Sequence, residues 1–336
     1  MSGPLEGIRI VDLTQVVSGP LATMLLADQG AEVVKVEPLG VGGDVTRLPS
    51  FAKAGISSLF VNNNRGKRSL AVDLTKEEGK QIVIDLVEQA DVFIQNFRPG
   101  AIERLGLSYD ELKAVNPKLI YCSISGFGPD GPYSDRPVLD PVIQGLTGMV
   151  SRQLNPQIPF PDLVRNLVAD KSTAFTSAQA ITAALFSRER TGEGQFLQIP
   201  MLDSCLYFFW VDGMMDLTML DEDVSPGITL AKVYNITNTS DGQLIYFAAT
   251  DKQRFGLLRA LGRDELCEDE RFSSLAAISN PENFAALGEI VAKEFEKVTN
   301  DEIIPKLIEH QVPCGPILAG EETLEDPQVL HNCLLY

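Results

Sequence analysis

The sequence is poor in the side chains that bind metals and form disulfides. It contains two histidines, His310 and His331, and five widely spaced cysteines that form no C-x-x-C pair. A histidine-rich metal site or a Ser-His-Asp triad would have to use those two histidines, both of them near the end of the chain. The scattered cysteines predict no zinc site and no disulfide framework, and they are typical of a reducing compartment such as the cytoplasm.

The sequence also lacks a recognisable membrane or targeting segment. Its first 12 residues have neither the basic nor the apolar region of a signal peptide. The most apolar stretch, Met201 to Leu220, contains three aspartates, each of which is costly at the centre of a bilayer. We therefore predict a cytoplasmic protein without a membrane partner, in which this stretch forms a core helix or an interface.

Positive charge is scarce as well. The 336 residues include 28 basic and 46 acidic side chains, giving a net charge of −18, which argues against nucleic acid as a partner. Residues 1–120 hold 13 basic and 15 acidic groups, whereas residues 121–336 hold 15 and 31. Any surface that binds an anion is therefore expected in the first third of the chain.

The common signatures of nucleotide binding and ester hydrolysis are absent. No G-x-G-x-x-G follows the first predicted strand, and neither G-x-x-x-x-G-K-[ST] nor G-x-S-x-G occurs. These absences weaken the interpretations as a dinucleotide-binding protein, a P-loop protein or an α/β-hydrolase.

Strand and helix patterns alternate through the first 125 residues, and one further helix and strand are predicted before residue 200. Strands are predicted at 8–13, 32–36, 69–74, 91–95, 119–124 and 195–199, and helices at 21–28, 76–89 and 171–190, with a loop-rich stretch at 126–161. Right-handed crossovers would assemble the first five of these strands into a doubly wound, mostly parallel, Rossmann-like sheet. We predict an α/β fold whose large domain covers residues 1–220.

A second, smaller α+β domain is predicted at 231–330, after a linker at 221–230. Its patterns are a hairpin over 233–250 that turns at Ser240-Asp241-Gly242, helices at 252–261, 283–297 and 301–310, and a short strand near 312–318.

Three loops that follow predicted strands are candidates for an anion site: Thr14–Gly19, Asn96–Gly100 and Ser125–Gly131. Ligands of open parallel sheets bind beyond the carboxyl ends of the strands, and free N–H groups at helix N-termini attract anions. Basic groups in the same third of the chain include Arg65, Lys67, Arg68, Arg98 and Arg104. The pattern indicates either a phosphate-bearing ligand or ordinary loops with solvated arginines.

Asp170 directly precedes a long helix rich in Ala, Thr and Ser. Aspartate is a favoured N-cap residue, so on its spacing alone a structural cap is the simpler interpretation of this carboxylate.

Several motifs, taken in order, resemble the family III CoA-transferases, the CaiB/BaiF family. The similarity runs from Leu5 to about Val329. The matching segments are PLEGIRIVDLT at 4–14, GAEVVKVEP at 30–38, NRGKRSL at 64–70, ADVFIQNFRPG at 90–100, GFGPDGPY at 126–133 and VPCGP at 312–316. The resemblance implies a CoA-transferase that takes an acyl-CoA donor and a carboxylic acid acceptor.

The resemblance also implies that Asp170 is the catalytic nucleophile, with capping as an added role. CoA would pass to the acceptor through an aspartyl anhydride and an aspartyl-CoA thioester. Coenzyme A is a substrate in this chemistry, and no tightly bound cofactor or metal is implied. The implied CoA contacts are Val17, Ser18, Val72, Asp73, Leu74, Thr75, Asn96, Phe97, Arg98 and Arg104.

Two alternatives remain open. One is an α-methylacyl-CoA racemase, another member of the family. The racemases have a His immediately before an Asp at the position of Leu139-Asp140, which is the expected substrate position in this chain. Leucine cannot transfer a proton, so Leu139 argues against racemisation. The other alternative is a non-catalytic member that only binds CoA.

For a free carboxylate acceptor, the candidate cations are Arg136, Arg152 and Arg165.

The resemblance further implies an interlocked homodimer of ring-like subunits, in which the last part of the chain returns to the first domain. Residues 331–336 are expected to be the start of that return segment, truncated relative to the family.

Overall fold

The computed structural model describes residues 3–48, 51–153, 160–221, 223–224, 229–234 and 236–332, with the side chain of Lys232 left out. The chain divides into two compact units, Met1–Asp221 and Glu222–Tyr336. Much of the predicted linker at 221–230 and most of the predicted return segment at 331–336 lie outside the described residues.

The first unit contains eight strands and ten α-helices within the described ranges. Strands β1 to β8 are Arg9–Asp12, Glu32–Pro38, Ala52–Lys53, Ile56–Ser57, Lys67–Val72, Val92–Gln95, Ile120–Ser125 and Gln195–Pro200. Helices α1 to α10 are Ser18–Asp28, Ser58–Asn64, Glu77–Glu88, Ala101–Arg104, Tyr109–Val115, Asp140–Leu146, Met149–Arg152, Val168–Thr191, Met201–Gly213 and Met215–Thr218.

Six of these strands form one parallel sheet in the order β5-β2-β1-β6-β7-β8. Numbered along the chain, the six strands run 3-2-1-4-5-6, the doubly wound order. The prediction of an α/β fold with a mostly parallel sheet is confirmed. The order reverses between β1 and β6, which is where an open sheet of this kind leaves a crevice for a ligand.

The alternation of side chains along β1 and β6 explains why helices cover both faces of the sheet. Ile10 and Ile94 pack with Ile181 of α8 on one face, while Val11 and Phe93 pack with helices α3 and α5 on the other. Strands buried on both faces are typical of parallel sheets. Each such side chain contributes about 1.5–3 kcal/mol through burial, so the central strands are strongly fixed.

The stretch at 126–161 is more regular than the predicted loop, because it contains α6 and α7. Helix α6 begins at Asp140-Pro141, with proline in its first turn, and it buries Ile143 completely. Helix α7 buries Met149. Both helices are too short to give a periodic apolar pattern, and contacts with distant residues stabilise them.

The second unit is a small α+β unit. Strands β9 to β11 are Thr237–Asn238, Gln243–Tyr246 and Cys314–Pro316, and they form an antiparallel sheet in the order β11-β10-β9. Helices α11 to α17 are Leu230–Val233, Asp251–Ala260, Leu275–Ile278, Pro281–Phe295, Asn300–Glu309, Gly320–Thr323 and Pro327–His331. The hairpin turning at residues 240–242 is confirmed by the β9–β10 pair.

None of the helices within the described ranges has the length and apolar character needed to cross a bilayer. The apolar stretch at 201–220 forms α9 and α10 instead.

Candidate active site

A cleft of about 480 Å³ opens at the carboxyl ends of β1, β6 and β7 in the first unit. Its walls include the loop after β1, the Asn96–Pro99 segment after β6, and Ile124–Gly126 at the end of β7. Because the strand order reverses between β1 and β6, the loops that follow these two strands diverge and leave the space between them open.

The structure brings six of the predicted site residues together in this cleft, namely Ser18, Asn96, Phe97, Arg98, Leu139 and Asp170. Two more lie directly behind its wall: Val17 is buried next to Ser18, and Asp140 is buried close to Asp170. The remaining predicted contacts do not line the cleft. They are Val72, Asp73, Leu74 and Thr75 at the end of β5, and Arg104 at the end of α4.

Asp170 lies in the first turn of α8, as its third residue. The sequence-based prediction that it caps this helix is therefore wrong. Asp140, in another helix, supplies the cap instead: its Oδ2 accepts the N–H groups of Ala169 at 2.7 Å and of Asp170 at 3.0 Å. Oδ1 of Asp140 is held in turn by Nε2 of Gln144 at 2.6 Å. With its own N-terminus satisfied by Asp140, helix α8 leaves the Asp170 carboxylate free for the cleft.

The Asp170 carboxylate lies against the N-terminus of α1. The hydroxyl and the backbone N–H of Ser18, the first residue of α1, lie close enough to this carboxylate to influence its pKa. Burial, followed by repulsion from the nearby Asp140 carboxylate, raises the pKa of Asp170 to about 6, although the two Ser18 groups act in the opposite direction. Asp170 is therefore a more basic carboxylate than usual, 7% exposed and facing an open cleft.

The loop that presents Ser18 is held in a strained conformation. Val16 has a φ of 71°, which is a genuine outlier for a β-branched residue and costs about 1–3 kcal/mol. Asn96 fixes the neighbouring peptide groups, because its Oδ1 accepts the N–H of Gln15 at 2.9 Å and its Nδ2 donates to the carbonyl of Gln15 at 2.8 Å. Strain of this kind at a cleft indicates that the loop has a functional conformation.

Buried ion pairs support the same loop from below. Lys35 Nζ donates to the carbonyl of Thr14 at 2.7 Å and lies 3.0 Å from Asp44 Oδ2. Lys67 Nζ lies 3.1 Å from Asp12 Oδ2. Burial alone would raise the pKa of Asp12, but Lys67, Lys35 and two threonine hydroxyls hold it at about 2. The carboxylate therefore stays charged and keeps the loop tied to the sheet.

Exposed cations surround the cleft. Arg98 and Arg136 line it, Arg104 lies one short helix away, and all three are exposed. No ion pair involving any of the three occurs in the described part of the chain. The guanidinium of Arg136 stacks over the ring of Tyr133 at 3.6 Å. Unpaired arginines at the mouth of a cleft favour a phosphate- or carboxylate-bearing ligand.

Some residues that shape this site could not be found from the sequence. Gln15, Asp44 and Gln144 act through hydrogen bonds to residues that are distant in the chain. The one available signal was the pair Asp140-Pro141, which is typical of a helix start. Within the described residues, no group of three or more His, Cys, Asp or Glu side chains could hold a metal ion.

The model of CoA-transferase family III matches residues 5–335 of this chain. The succinate–glutarate CoA-transferase of Agrobacterium fabrum is 36% identical over 335 residues, which cover 97% of this chain and 83% of that protein. The formyl-CoA:oxalate CoA-transferase of Streptomyces avermitilis is 31% identical over 351 residues, covering 99% and 84%. Among solved structures, a CAIB/BAIF family protein from Brucella suis is 35% identical with a TM-score of 0.83, covering 98% of this chain and 88% of that one.

Proposed function

The chain belongs to CoA-transferase family III, and on that premise we propose that it moves CoA from an acyl-CoA thioester to a carboxylic acid through covalent intermediates on Asp170. The observation that carries the proposal is the buried Asp170 carboxylate, which faces the cleft with a pKa of about 6. At pH 7 such a group is roughly nine-tenths ionised, yet more basic than an ordinary aspartate.

In the first half of the reaction, a carboxylate oxygen of Asp170 attacks the carbonyl carbon of the donor thioester. The C–S bond breaks, CoA leaves as a thiolate, and an aspartyl anhydride forms. The thiolate then attacks the Asp170 carbonyl carbon of the anhydride. This step releases the donor acid as a carboxylate and leaves CoA on Asp170 as a thioester.

The second half runs in the opposite sense with the acceptor. The acceptor carboxylate attacks the aspartyl-CoA thioester, giving a second anhydride and the CoA thiolate. The thiolate attacks the acceptor's carbonyl carbon, which yields the new acyl-CoA and returns Asp170 to its carboxylate form. No net proton is consumed, so the site needs a stable anionic nucleophile more than an acid–base pair.

Ser18 supports this chemistry from the N-terminus of α1. Its N–H and hydroxyl lie beside the Asp170 carboxylate, and these donors can hold the oxygen that becomes negative when Asp170 or its acyl derivative is attacked. A preorganised backbone donor of this type lowers a barrier by about 3–4 kcal/mol. The strained loop before Ser18, fixed by Asn96, would keep that donor in place.

The CoA contacts remain a prediction from the family. Ser18, Asn96, Phe97 and Arg98 line the cleft, which supports their part in it. We propose that Val17 acts through the α1 N-terminus, and that Val72, Asp73, Leu74, Thr75 and Arg104 bind parts of CoA extending beyond the cleft. CoA carries several phosphates, and the exposed Arg98 and Arg104 offer charges that no other described residue neutralises.

For the acceptor we propose a small carboxylic acid, as the relatives named for glutarate and oxalate suggest. Of the three candidate cations, Arg152 pairs with Asp216 and Arg165 with Asp162. Arg136 remains unpaired and lines the cleft, so it is the better candidate for an acceptor carboxylate. No specific observation favours racemisation, because Leu139 carries no transferable proton and no histidine precedes His310.

We also propose the interlocked homodimer, with a large domain at 1–220, a linker at 221–230, a small domain at 231–330 and a return segment from 331. Helices α9 and α10, with the residues that follow them, expose a run of apolar side chains that is unusual for a monomer. These are Tyr207, Phe208, Trp210, Val211, Met215, Leu217, Met219 and Leu220. Light scattering coupled to size-exclusion chromatography tests the oligomeric state, since a monomer at all concentrations would contradict the homodimer.

The unpaired Cys122, Cys205, Cys267 and Cys314 support a cytoplasmic setting.

The decisive test is chemical trapping of Asp170. The protein is incubated with an acyl-CoA donor such as succinyl-CoA, treated with hydroxylamine, digested, and analysed by peptide mass spectrometry. We expect an aspartyl hydroxamate at Asp170, and none in Asp170→Asn. Asp203→Asn is a matched control, because Asp203 is also the third residue of its helix but is exposed. An unmodified Asp170 in a protein that still transfers CoA would refute the covalent mechanism.

A further inference from the structure

The second unit contains its own cleft, with a volume of about 440 Å³. It lies among β10, α12, α13 and α14, and most of its lining is aliphatic or aromatic, including Tyr246, Phe247, Leu257, Phe284 and Leu287. Its size and apolar walls are those of a site for a small organic molecule.

One charged residue, Arg254 of α12, lines this cleft within the described part of the chain. Arg254 is 2% exposed and is the largest of the fully buried side chains. None of its guanidinium nitrogens has a hydrogen-bond partner. Nη1 does lie 2.6 Å from Oδ1 of Asp251, but that oxygen accepts the N–H of Leu275 at 2.7 Å, and Asp251 is about half exposed.

A buried guanidinium with these contacts lacks hydrogen-bond acceptors for its N–H groups. Burying a charge is strongly unfavourable unless the charge is both paired and hydrogen-bonded, and the Asp251 contact reaches one end of the planar group. The Nε and Nη2 donors have no hydrogen-bond partner and are buried from solvent beside the apolar cleft. Two parallel N–H donors on one edge match the two oxygens of a carboxylate.

We infer that this cleft binds a small monocarboxylic acid with an apolar body. The carboxylate takes the Nε–Nη2 edge of Arg254, and the aliphatic or aromatic remainder lies against the walls formed by β10 and α14. A single buried cation selects one negative charge, since a second carboxylate or a phosphate dianion would enter an apolar cleft without a partner. The inference does not depend on covalent chemistry at Asp170.

Two substitutions separate the charge from the space. Arg254→Met removes the guanidinium and keeps an unbranched apolar side chain of similar length, so the unit loses a buried charge whose contact with Asp251 makes no hydrogen bond, and it should still fold. Gly288→Leu keeps Arg254 but fills the cleft, because a Cβ at Gly288 meets no atom within 4 Å and glycine is a poor helix former. Both variants are checked by circular dichroism and thermal melting before use.

The test is a ¹⁹F NMR titration of the full chain with 4-fluorobenzoate and with its uncharged analogue 4-fluorobenzamide. We expect the acid to bind at least tenfold more tightly than the amide, and each variant to weaken acid binding at least tenfold. Asp170→Asn should bind the acid as the wild type does, which distinguishes this cleft from the one in the first unit. A benzoate carrying a diazirine should label peptides within 244–291.

Three results would overturn the inference. They are wild-type protein that fails to bind 4-fluorobenzoate, equal binding by the Arg254→Met variant, and labelling confined to peptides of the first unit. An oligomer that dissociates in Arg254→Met, in a protein that does not bind the acid, would show that a second copy fills the cleft instead.

Discussion

Replacing Asp170 by asparagine should stabilise the folded protein near neutral pH while abolishing transfer. The pKa of Asp170 is raised from the ordinary 3.8 to about 6, first by burial and then by Asp140. A difference of two pKa units corresponds to about 3 kcal/mol of unfavourable free energy in the charged form. Asparagine has the same shape without the charge and can still accept the N–H of Ser18, so we expect a net gain of about 1–3 kcal/mol.

The gain should depend on pH in a defined direction. Because the folded-state pKa is the higher one, the native protein holds this proton more tightly than the unfolded chain between about pH 4 and pH 6. The wild type therefore loses stability as pH rises through that window, and the full loss is present above about pH 6. Below pH 4 the carboxyl is neutral in both states, so the variant and the wild type should have similar free energies of unfolding.

Urea unfolding at pH 4, 5, 6 and 7.5 measures this dependence. Trp210, the single tryptophan, lies in the same unit as Asp170, so its fluorescence reports on the relevant transition. The matched control is Asp203→Asn, at the equivalent but exposed helix position. Losing a favourable charge at a helix N-terminus should destabilise that variant by about 0.3–1 kcal/mol. An Asp170→Asn variant that is less stable than the wild type at pH 7.5, or that shows the same gain at pH 4, would refute a raised pKa at Asp170.

Three further substitutions test the surroundings of Asp170, the proposed nucleophile. Asp140→Asn should lower the pKa of Asp170, which would move the acid limb of the pH profile of kcat/KM to lower pH. It should also weaken the cap of α8 by about 1 kcal/mol. An acid limb that does not move would contradict the prediction. Asn96→Ala removes both hydrogen bonds to the loop after β1, so steady-state kinetics should show a lower kcat, and unchanged kcat would exclude a positioning role. Gly19→Ala places a Cβ 2.3 Å from the Cβ of Thr14, which should lower the free energy of unfolding by about 1–3 kcal/mol. The melting temperature should therefore fall, and an unchanged melting temperature would contradict this prediction.

The sheet could be predicted because its strands carry strong local signals. β1, β2, β6 and β7 are short β-branched or aromatic runs bounded by polar or glycine-containing turns, and periodicity identifies such runs well. Helices α6 and α7 carry no comparable signal. Asp140 and Ile143 fix α6 through contacts with α8 and with the core, and interactions between distant residues leave no local pattern.

The site was predictable in part for a similar reason. The rule that ligands bind at strand ends directed attention to the loops after β1 and β6, and these do line the cleft. The same rule could not show that β5 lies at the edge of the sheet, two strands away from β1. Because of that position, Val72 to Thr75 lie away from the point where the strand order reverses. The pairing order of strands is a property of the whole fold. No sequence pattern within residues 72–75 indicates this pairing order.

The arrangement of Asp140 and Asp170 suggests why the site tolerates so unfavourable a carboxylate. Each carboxylate lies at the N-terminus of a helix other than its own, Asp140 at α8 and Asp170 at α1. Acylation of Asp170 would remove one negative charge from this buried pair while leaving a carbonyl oxygen for the Ser18 donors. The repulsion that raises the pKa of Asp170 is thus relieved when the proposed covalent intermediate forms. Up to about 3 kcal/mol of native-state strain would then favour the intermediate over the free carboxylate, without a change in fold.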